Sequence, residues 1–202
     1  DSNQRMQESK SCALPLGDGP EHNKYSLTQE REIFNKKERK KYDMTHGEKA
    51  GALFLEGYNC AQSVVLAFAD EMGTPKETAA RIASSFGGGL GRLREVCGCV
   101  SGMAIVAGEL LGYSGPETGK PKADHYALIQ ELAEEFRKEN GSIICRDLLS
   151  GITSDTAPVP EARTDDYYKK RPCKDLAVCA AEILERKLEE RKAQDLEKNG
   201  QK

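Results

Sequence analysis

The segment from about Glu95 to Leu111 is apolar on nearly every side when it is drawn as a helix. An amphipathic helix lies at the surface of a protein, whereas a helix that is apolar all round is buried among other elements. The segment therefore predicts the central helix of a bundle. The alternation of apolar and polar residues that is typical of strands is missing from the rest of the chain. We predict an all-α fold, a compact bundle of about five helices.

Four other segments have the apolar periodicity of amphipathic helices, at about residues 45–72, 75–86, 122–139 and 172–192. Thr45 followed by Glu48 has the spacing of a capping box and predicts the start of the first of these helices. Gly73 ends that helix, and Thr74 and Pro75 then act as the N-cap and the first residue of the next one.

Composition divides the chain into three parts. Residues 1–43 are polar and contain helix-breaking Gly and Pro, so we predict an N-terminal extension that is disordered or loosely helical. Residues 44–192 form the predicted helical four-cysteine redox domain. Residues 193–202 form a charged tail.

The net charge of −3 gives no electrostatic reason to expect a nucleic-acid partner. The basic cluster at residues 36–41 is interrupted by Glu38 and lies in the extension. No apolar run approaches the ~18 residues that span a bilayer, and the N-terminus lacks the layout of a signal peptide. We therefore expect a cytoplasmic protein that binds neither nucleic acid nor membrane.

The chain has seven cysteines, and in the cytoplasm metal ligation or active thiol chemistry suits them better than a disulfide framework. At ~100° per residue, Cys60 and Cys173 share a helix face with apolar neighbours and should point inward. Cys145 precedes two leucines that would bury its turn. Cys179 lies ~120° away from the stripe of Cys173, so we predict that it is a bystander.

Cys97 and Cys99 are two residues apart, and such residues point in nearly opposite directions on a helix. Only one of them is expected at a shared centre. Cys97 has small residues, Ala104 and Gly108, on its face and is the favoured member. Cys99 becomes an additional candidate if the helix begins later than predicted.

The glycine-rich segment 86–92 lacks a preceding strand and the spacing of a nucleotide-binding loop. We expect its backbone to pass close to the cysteine centre and to donate N–H groups to an anionic cluster, with two arginines adding positive charge. Glu95 is a helix N-terminal charge or a proton relay. The residues expected around the centre are Gly87, Gly88, Gly89, Gly91, Arg92, Arg94 and Glu95. No catalytic residue can be assigned, and His22, His46 and His125 lack metal-like spacing and are predicted at the surface.

The segments Gly57–Gln62, Phe86–Arg92 and Glu95–Gly102, followed by Cys145-Arg-Asp and Cys173, resemble the C_GCAxxG_C_C family over about residues 45–190. The resemblance implies a small redox-active protein related to the iron–sulfur part of split-Soret cytochromes. The family's four shared cysteines correspond to Cys60, Cys97, Cys145 and Cys173. Cys99 stands in the place of the motif's alanine, and the lack of CxxCH speaks against haem.

Three functions are compatible with these residues. The first is electron transfer by a two-iron or four-iron cluster that the four cysteines hold, with a redox partner protein whose identity the sequence leaves open. The second is thiol–disulfide exchange with Cys97 or Cys99 as the nucleophile. The third is thiolate binding of zinc or a soft metal without turnover. Whether the protein is an enzyme or a homo-oligomer is left open.

Overall fold

A computed structural model of the chain describes residues 44–116 and 119–200. The described residues contain nine α-helices, one 3₁₀ turn and no strand, so the predicted all-α fold is confirmed. The N-terminal extension, with Cys12 and His22, lies outside the described residues. The helices are α1 (His46–Leu55), α2 (Cys60–Ala67), α3 (Ala69–Met72), α4 (Lys76–Ala83), α5 (Gly98–Leu111), α6 (Lys120–Asn140), α7 (Cys145–Leu148), α8 (Asp165–Lys170) and α9 (Cys173–Gly200), with the 3₁₀ turn at Ser84–Phe86.

The first helix begins with the predicted capping box. The Glu48 N–H donates to Thr45 Oγ1 at 3.1 Å, and the Thr45 N–H donates to the Glu48 carboxylate at 3.0 Å. The prediction that this helix continues to Met72 is wrong. A second capping box, between Asn59 and Gln62, starts a new helix, because its two side chains satisfy backbone N–H groups that are free at a helix start. Cys60 therefore lies at the start of α2.

The predicted central helix is confirmed as α5, but it begins at Gly98 and not at Glu95. Its side packed against α2 is lined by glycine. A Cβ at position 102 would lie 2.9 Å from the Cβ of Val64, so only glycine permits this approach of the two helices. Met103 and Val106 are fully buried in the main core. The start of α5 is therefore held directly against α2.

The longest helix, α9, ends at Gly200 and not near residue 192 as predicted. It packs on α1, α2, α5 and α6, and its buried side chains extend from Cys173 to Leu188. This packing places the start of α9 beside the ends of the central helices. No helix in the described ranges, α9 included, is long and apolar enough to cross a membrane.

His46 is mostly buried, so its predicted surface position is wrong. Its ring stacks on Phe68 with the centroids 4.0 Å apart. Its Nε2 lies 2.6 Å from Glu71 and its Nδ1 lies 2.5 Å from Glu185. This single side chain connects α1 to α3 and α9. His125, on α6, is half-buried.

Candidate cysteine centre

Four of the cysteines lie at the starts of helices. Cys60, Cys145 and Cys173 are the first residues of α2, α7 and α9, and Cys97 is the N-cap of α5. The backbone N–H groups at a helix start carry positive partial charge and favour an anion or a thiolate nearby. The fold thus brings several electropositive helix ends to one region.

Three of these cysteines, Cys60, Cys145 and Cys173, line one cavity of about 270 Å³. Each is at most 9% exposed. Cys145 and Cys173 also share a small apolar cluster with Phe54. The structure therefore brings three of the four predicted site residues together around one space.

Cys97 is buried beside this cavity, although it does not line it. Val96 and Ile144 form an antiparallel bridge. The Cys97 N–H donates to Ile143 O at 2.8 Å, and the Cys145 N–H donates to Glu95 O at 2.7 Å. These hydrogen bonds hold Cys97 alongside Cys145, so all four predicted cysteines lie in one neighbourhood.

Cys99 is a fifth thiol in this neighbourhood. It is fully buried, and its thiol lowers the pKa of the Cys60 thiol, while Cys60 and Cys97 raise its own pKa. The predicted opposite directions of Cys97 and Cys99 require both residues to lie on one helix. Cys97 precedes α5, so this prediction does not apply. The sequence makes Cys99 an additional candidate only if the helix begins later than predicted, and α5 does begin later, at Gly98.

Cys179 lies elsewhere, at the contact of α6 with α9. Its thiol donates to the Glu139 carboxylate at 3.2 Å, and the Asn140 side-chain amide lies 3.1 Å from its sulfur. It is half-buried and does not line the cavity. Burial and the Glu139 carboxylate raise the pKa of its thiol to about 11, although the Asn140 amide acts in the opposite direction.

The glycine-rich loop passes directly over the centre. Gly88 lines the same cavity as Cys60, and its backbone amide contributes to lowering the pKa of the Cys60 thiol. At Gly89, which has a φ of +71°, a Cβ would lie 2.7 Å from the Cβ of Cys145. Three residues that are not glycine also have positive φ, namely Leu90, Arg92 and Arg94. Such backbone strain is concentrated at functional sites in proteins.

Four arginines line the cysteine cavity, against one carboxylate, that of Glu161. Two of them, Arg163 and Arg171, were missed by sequence reasoning. Arg171 stands two residues before Cys173, and this proximity in the sequence is the one signal from which its place at the site could have been predicted. The lining arginines are Arg92, Arg94, Arg163 and Arg171. The cavity is consequently suited to an anionic occupant.

The two missed arginines form the outer wall with aromatic side chains. The Arg163 guanidinium lies over the rings of Phe54 and Tyr167, 4.6 and 4.9 Å from their centroids. Arg171 is paired with Glu161 and lies 4.6 Å from the same Tyr167 ring. These stacked planes limit the access of water to Cys173 and Cys60.

The other two arginines hold the loop at residues 151–164. Arg92 Nη2 lies 2.7 Å from Asp155 Oδ2, and Arg94 Nε donates to Asp155 O at 2.9 Å. Glu95 is not a helix N-terminal charge, because α5 starts three residues later. Its carboxylate is paired with Arg146.

The thiols of the centre differ in acidity. The hydrogen bond from Cys99, together with Gly88 and Arg163, lowers the pKa of Cys60 to about 6 in spite of burial. Burial and the neighbouring thiols raise the pKa of Cys145 to about 11, and Arg94 beside it only partly offsets this. Burial likewise raises the pKa of Cys173. Hydrogen bonding to Cys60 raises the pKa of Cys99. Among these four thiols, that of Cys60 is the most acidic.

As the side chains stand, no group of three or more His, Cys, Asp or Glu residues in the described ranges is arranged to hold a metal ion. Comparisons with known proteins give one result. The family model described as "Putative redox-active protein (C_GCAxxG_C_C)" matches residues 58–187. Searches of curated proteins and of solved structures returned no match.

Proposed function

The chain belongs to the C_GCAxxG_C_C family, and we propose that it binds an iron–sulfur cluster through Cys60, Cys97, Cys145 and Cys173 and transfers electrons. The observation that carries this proposal is the convergence of four buried cysteines, each at a helix start, three of them lining one arginine-lined cavity and Cys97 lying beside it. Iron–sulfur clusters are held by cysteine thiolates, most often by four.

The residues around the cysteines fit such a group. A cluster with thiolate ligands is anionic, and its sulfur atoms accept hydrogen bonds from nearby backbone N–H groups. The Gly88 backbone amide helps to lower the pKa of the Cys60 thiol, so it favours negative charge on that sulfur. The lining arginines and the helix starts supply positive charge. When bound, the cluster would supply one-electron redox chemistry.

The chain's own residues would set the conditions for this chemistry. Gly88 and Arg94 stabilise negative charge on the sulfurs of Cys60 and Cys145, which favours the more reduced state of a bound group. Arg163 and Tyr167 shield the cavity from water. Cys99, which contacts Cys60, would remain a protonated thiol beside a ligand.

A second function, thiol–disulfide exchange, is favoured by a different observation. Cys99 has the largest single effect on the pKa of the Cys60 thiol, which indicates that the two side chains are near neighbours. The pair differs from the sequence-based hypothesis, which has Cys97 or Cys99 as the nucleophile. In this function Cys60, which lines the cavity, attacks a disulfide of a substrate and Cys99 resolves the mixed disulfide.

Anaerobic cluster reconstitution of the full chain tests the first function. We expect visible absorbance with bound iron and sulfide, and loss of both in Cys145→Ser. Cys179→Ser is the matched control, since this thiol lies outside the cavity, and it should keep the cluster. A protein that stays colourless and iron-free after reconstitution would overturn the proposal. A reversible intramolecular disulfide would then support the second function, and tightly bound zinc would support the metal-binding hypothesis.

A further inference from the structure

A second cavity, of about 540 Å³, lies beside the cysteine centre and shares Arg94 with it. We propose that this cavity binds a small molecule through an oxyanion group, a phosphate or a carboxylate. Its volume lies within the range of about 300–1,000 Å³ that is typical of small-molecule sites. No cysteine lines this cavity within the described ranges, and Arg94 is the one residue that the two cavities share.

The polar lining of this cavity is matched to an oxyanion. It consists of the two arginines Arg94 and Arg146 and the hydroxyl groups of Ser150, Thr153, Ser154 and Thr156. Within the described ranges no Asp or Glu lines it. Arginine and hydroxyl donors are the groups that proteins use to bind phosphate and carboxylate oxygens.

Arg94 supplies the strongest evidence for a missing acceptor. The residue is 4% exposed, and its Nη2 has no hydrogen-bond partner among the described residues. Its Nε is already bound to Asp155 O. Leaving a buried charged donor without an acceptor is costly, and an anion beside the guanidinium would remove this cost. The positive φ of Arg94, +62°, shows that the chain tolerates strain to place it here.

Arg146 provides the second cation at the rim. It is half-exposed; its Nε donates to Arg94 O at 3.2 Å, and its Nη2 pairs with Glu95. A guanidinium has five N–H donors, so further donors remain for a ligand. Glu95 offsets part of this charge but does not line the cavity.

The remaining walls indicate that the oxyanion belongs to a larger molecule. Leu93 and Ile152 line the cavity and are 56% and 40% exposed. They offer an apolar surface to the body of a ligand whose charged group lies on the arginines. Because Arg94 lies between this cavity and the Cys145 thiol, a bound molecule would lie directly beside the cysteine centre.

Isothermal titration calorimetry of the full chain with inorganic phosphate and with succinate tests the site. We expect saturable binding of at least one probe, weakened by about tenfold or more in Arg146→Gln, since a charge-assisted hydrogen bond is lost. Thr156→Val should weaken the same probe. Arg186→Gln removes an exposed arginine of α9 that is paired with Glu135 and Glu139 and should leave binding unchanged.

The two probes distinguish a phosphate ligand from a carboxylate ligand. Absence of saturable binding for both, or equal weakening by Arg146→Gln and Arg186→Gln, would overturn the proposal. Arg94 is buried, so Arg94→Gln carries a risk of unfolding the chain. Arg146 lies at the surface, and Arg146→Gln therefore tests the site in a folded protein. The iron content of each sample is recorded, so that loss of a cluster and loss of anion binding are separate readouts.

Discussion

Gly89 lies so close to Cys145 that a Cβ on residue 89 would stand 2.7 Å from the Cys145 Cβ. The same Cβ would also meet the backbone nitrogen and oxygen of Glu95, at 2.8 and 2.9 Å. Two of these three atoms belong to the backbone and cannot rotate away. The glycine loop and α7 are therefore fitted to each other at this point.

Gly89→Ala should destabilise the metal-free chain by at least about 3 kcal/mol, because a left-handed conformation and an overpacked contact are combined. Urea unfolding measures this. Gly91→Ala is the matched control, since Gly91 has a φ of +56° but its Cβ would meet no atom closer than 4.0 Å. It should cost about 1–2 kcal/mol. Equal losses in the two variants would contradict the close contact.

Cys99→Ala should raise the pKa of Cys60 in the metal-free chain. The hydrogen bond from Cys99 is the main reason why this pKa is lowered to about 6. The rate of iodoacetamide alkylation at Cys60 should rise as the pH increases through about 6 in the parent chain, and at a higher pH in the variant. Cys179→Ala is the control and should leave the profile unchanged. An unshifted midpoint in Cys99→Ala would show that the thiol contact has no such effect.

Glu71→Gln should lower the free energy of unfolding by about 0.5 kcal/mol at neutral pH, since the pair with His46 is partly exposed. Burial raises the pKa of Glu71, but the hydrogen bond with His46 outweighs it and the net pKa is lowered. The contribution is therefore complete above the unfolded-state pKa, and it is lost as the pH falls through the folded one. Urea unfolding across this range should show the two chains converging. Glu77→Gln, on the exposed side of α4, should show no such trend.

Asp155→Asn should loosen the loop at residues 151–164. The carboxylate accepts from the Ala157 N–H and is paired with Arg92, and both lower its pKa. Its loss should speed amide hydrogen exchange in this loop and the alkylation of Cys145 in the metal-free chain. Asp166→Asn, on α8, is the control and should change neither rate. Unchanged exchange in Asp155→Asn would show that Arg92 does not hold the loop through this side chain.

The all-α fold, the central helix and the Thr45 cap could be predicted because each depends on local pattern. The break before Cys60 has the same local signal, an Asn59–Gln62 capping box, but it lies inside an apolar stretch that reads as continuous. The burial of His46 could not be predicted, because it needs two carboxylates that are distant in the sequence.

At the candidate site, helix faces indicated Cys60 and Cys173, and the two leucines after Cys145 indicated the burial of its turn. The structure brings these three cysteines to one cavity. Whether Cys99 lies at the centre depends on where α5 begins. The helix begins at Gly98, three residues after the predicted start at Glu95, and this difference places Cys99 at the centre. Arg163 and Arg171 reach the cavity only through the long segment after α7, whose course follows from its contacts with Arg92 and Arg94. Such long-range contacts leave no periodic signal in a single sequence.

The bridge between Val96 and Ile144 has a consequence for the order of assembly. It joins the segments that carry Cys97 and Cys145 through backbone hydrogen bonds, to which Arg146 adds side-chain contacts with Arg94 O and Glu95. Cys60 and Cys173 are placed by helices that are anchored in the apolar core. Small zinc domains fold only when the metal arrives. Here backbone and core contacts of the chain itself bring the four cysteines into one neighbourhood. The thiols are therefore gathered by folding, although no three of them in the described ranges are arranged to hold a metal ion as they stand.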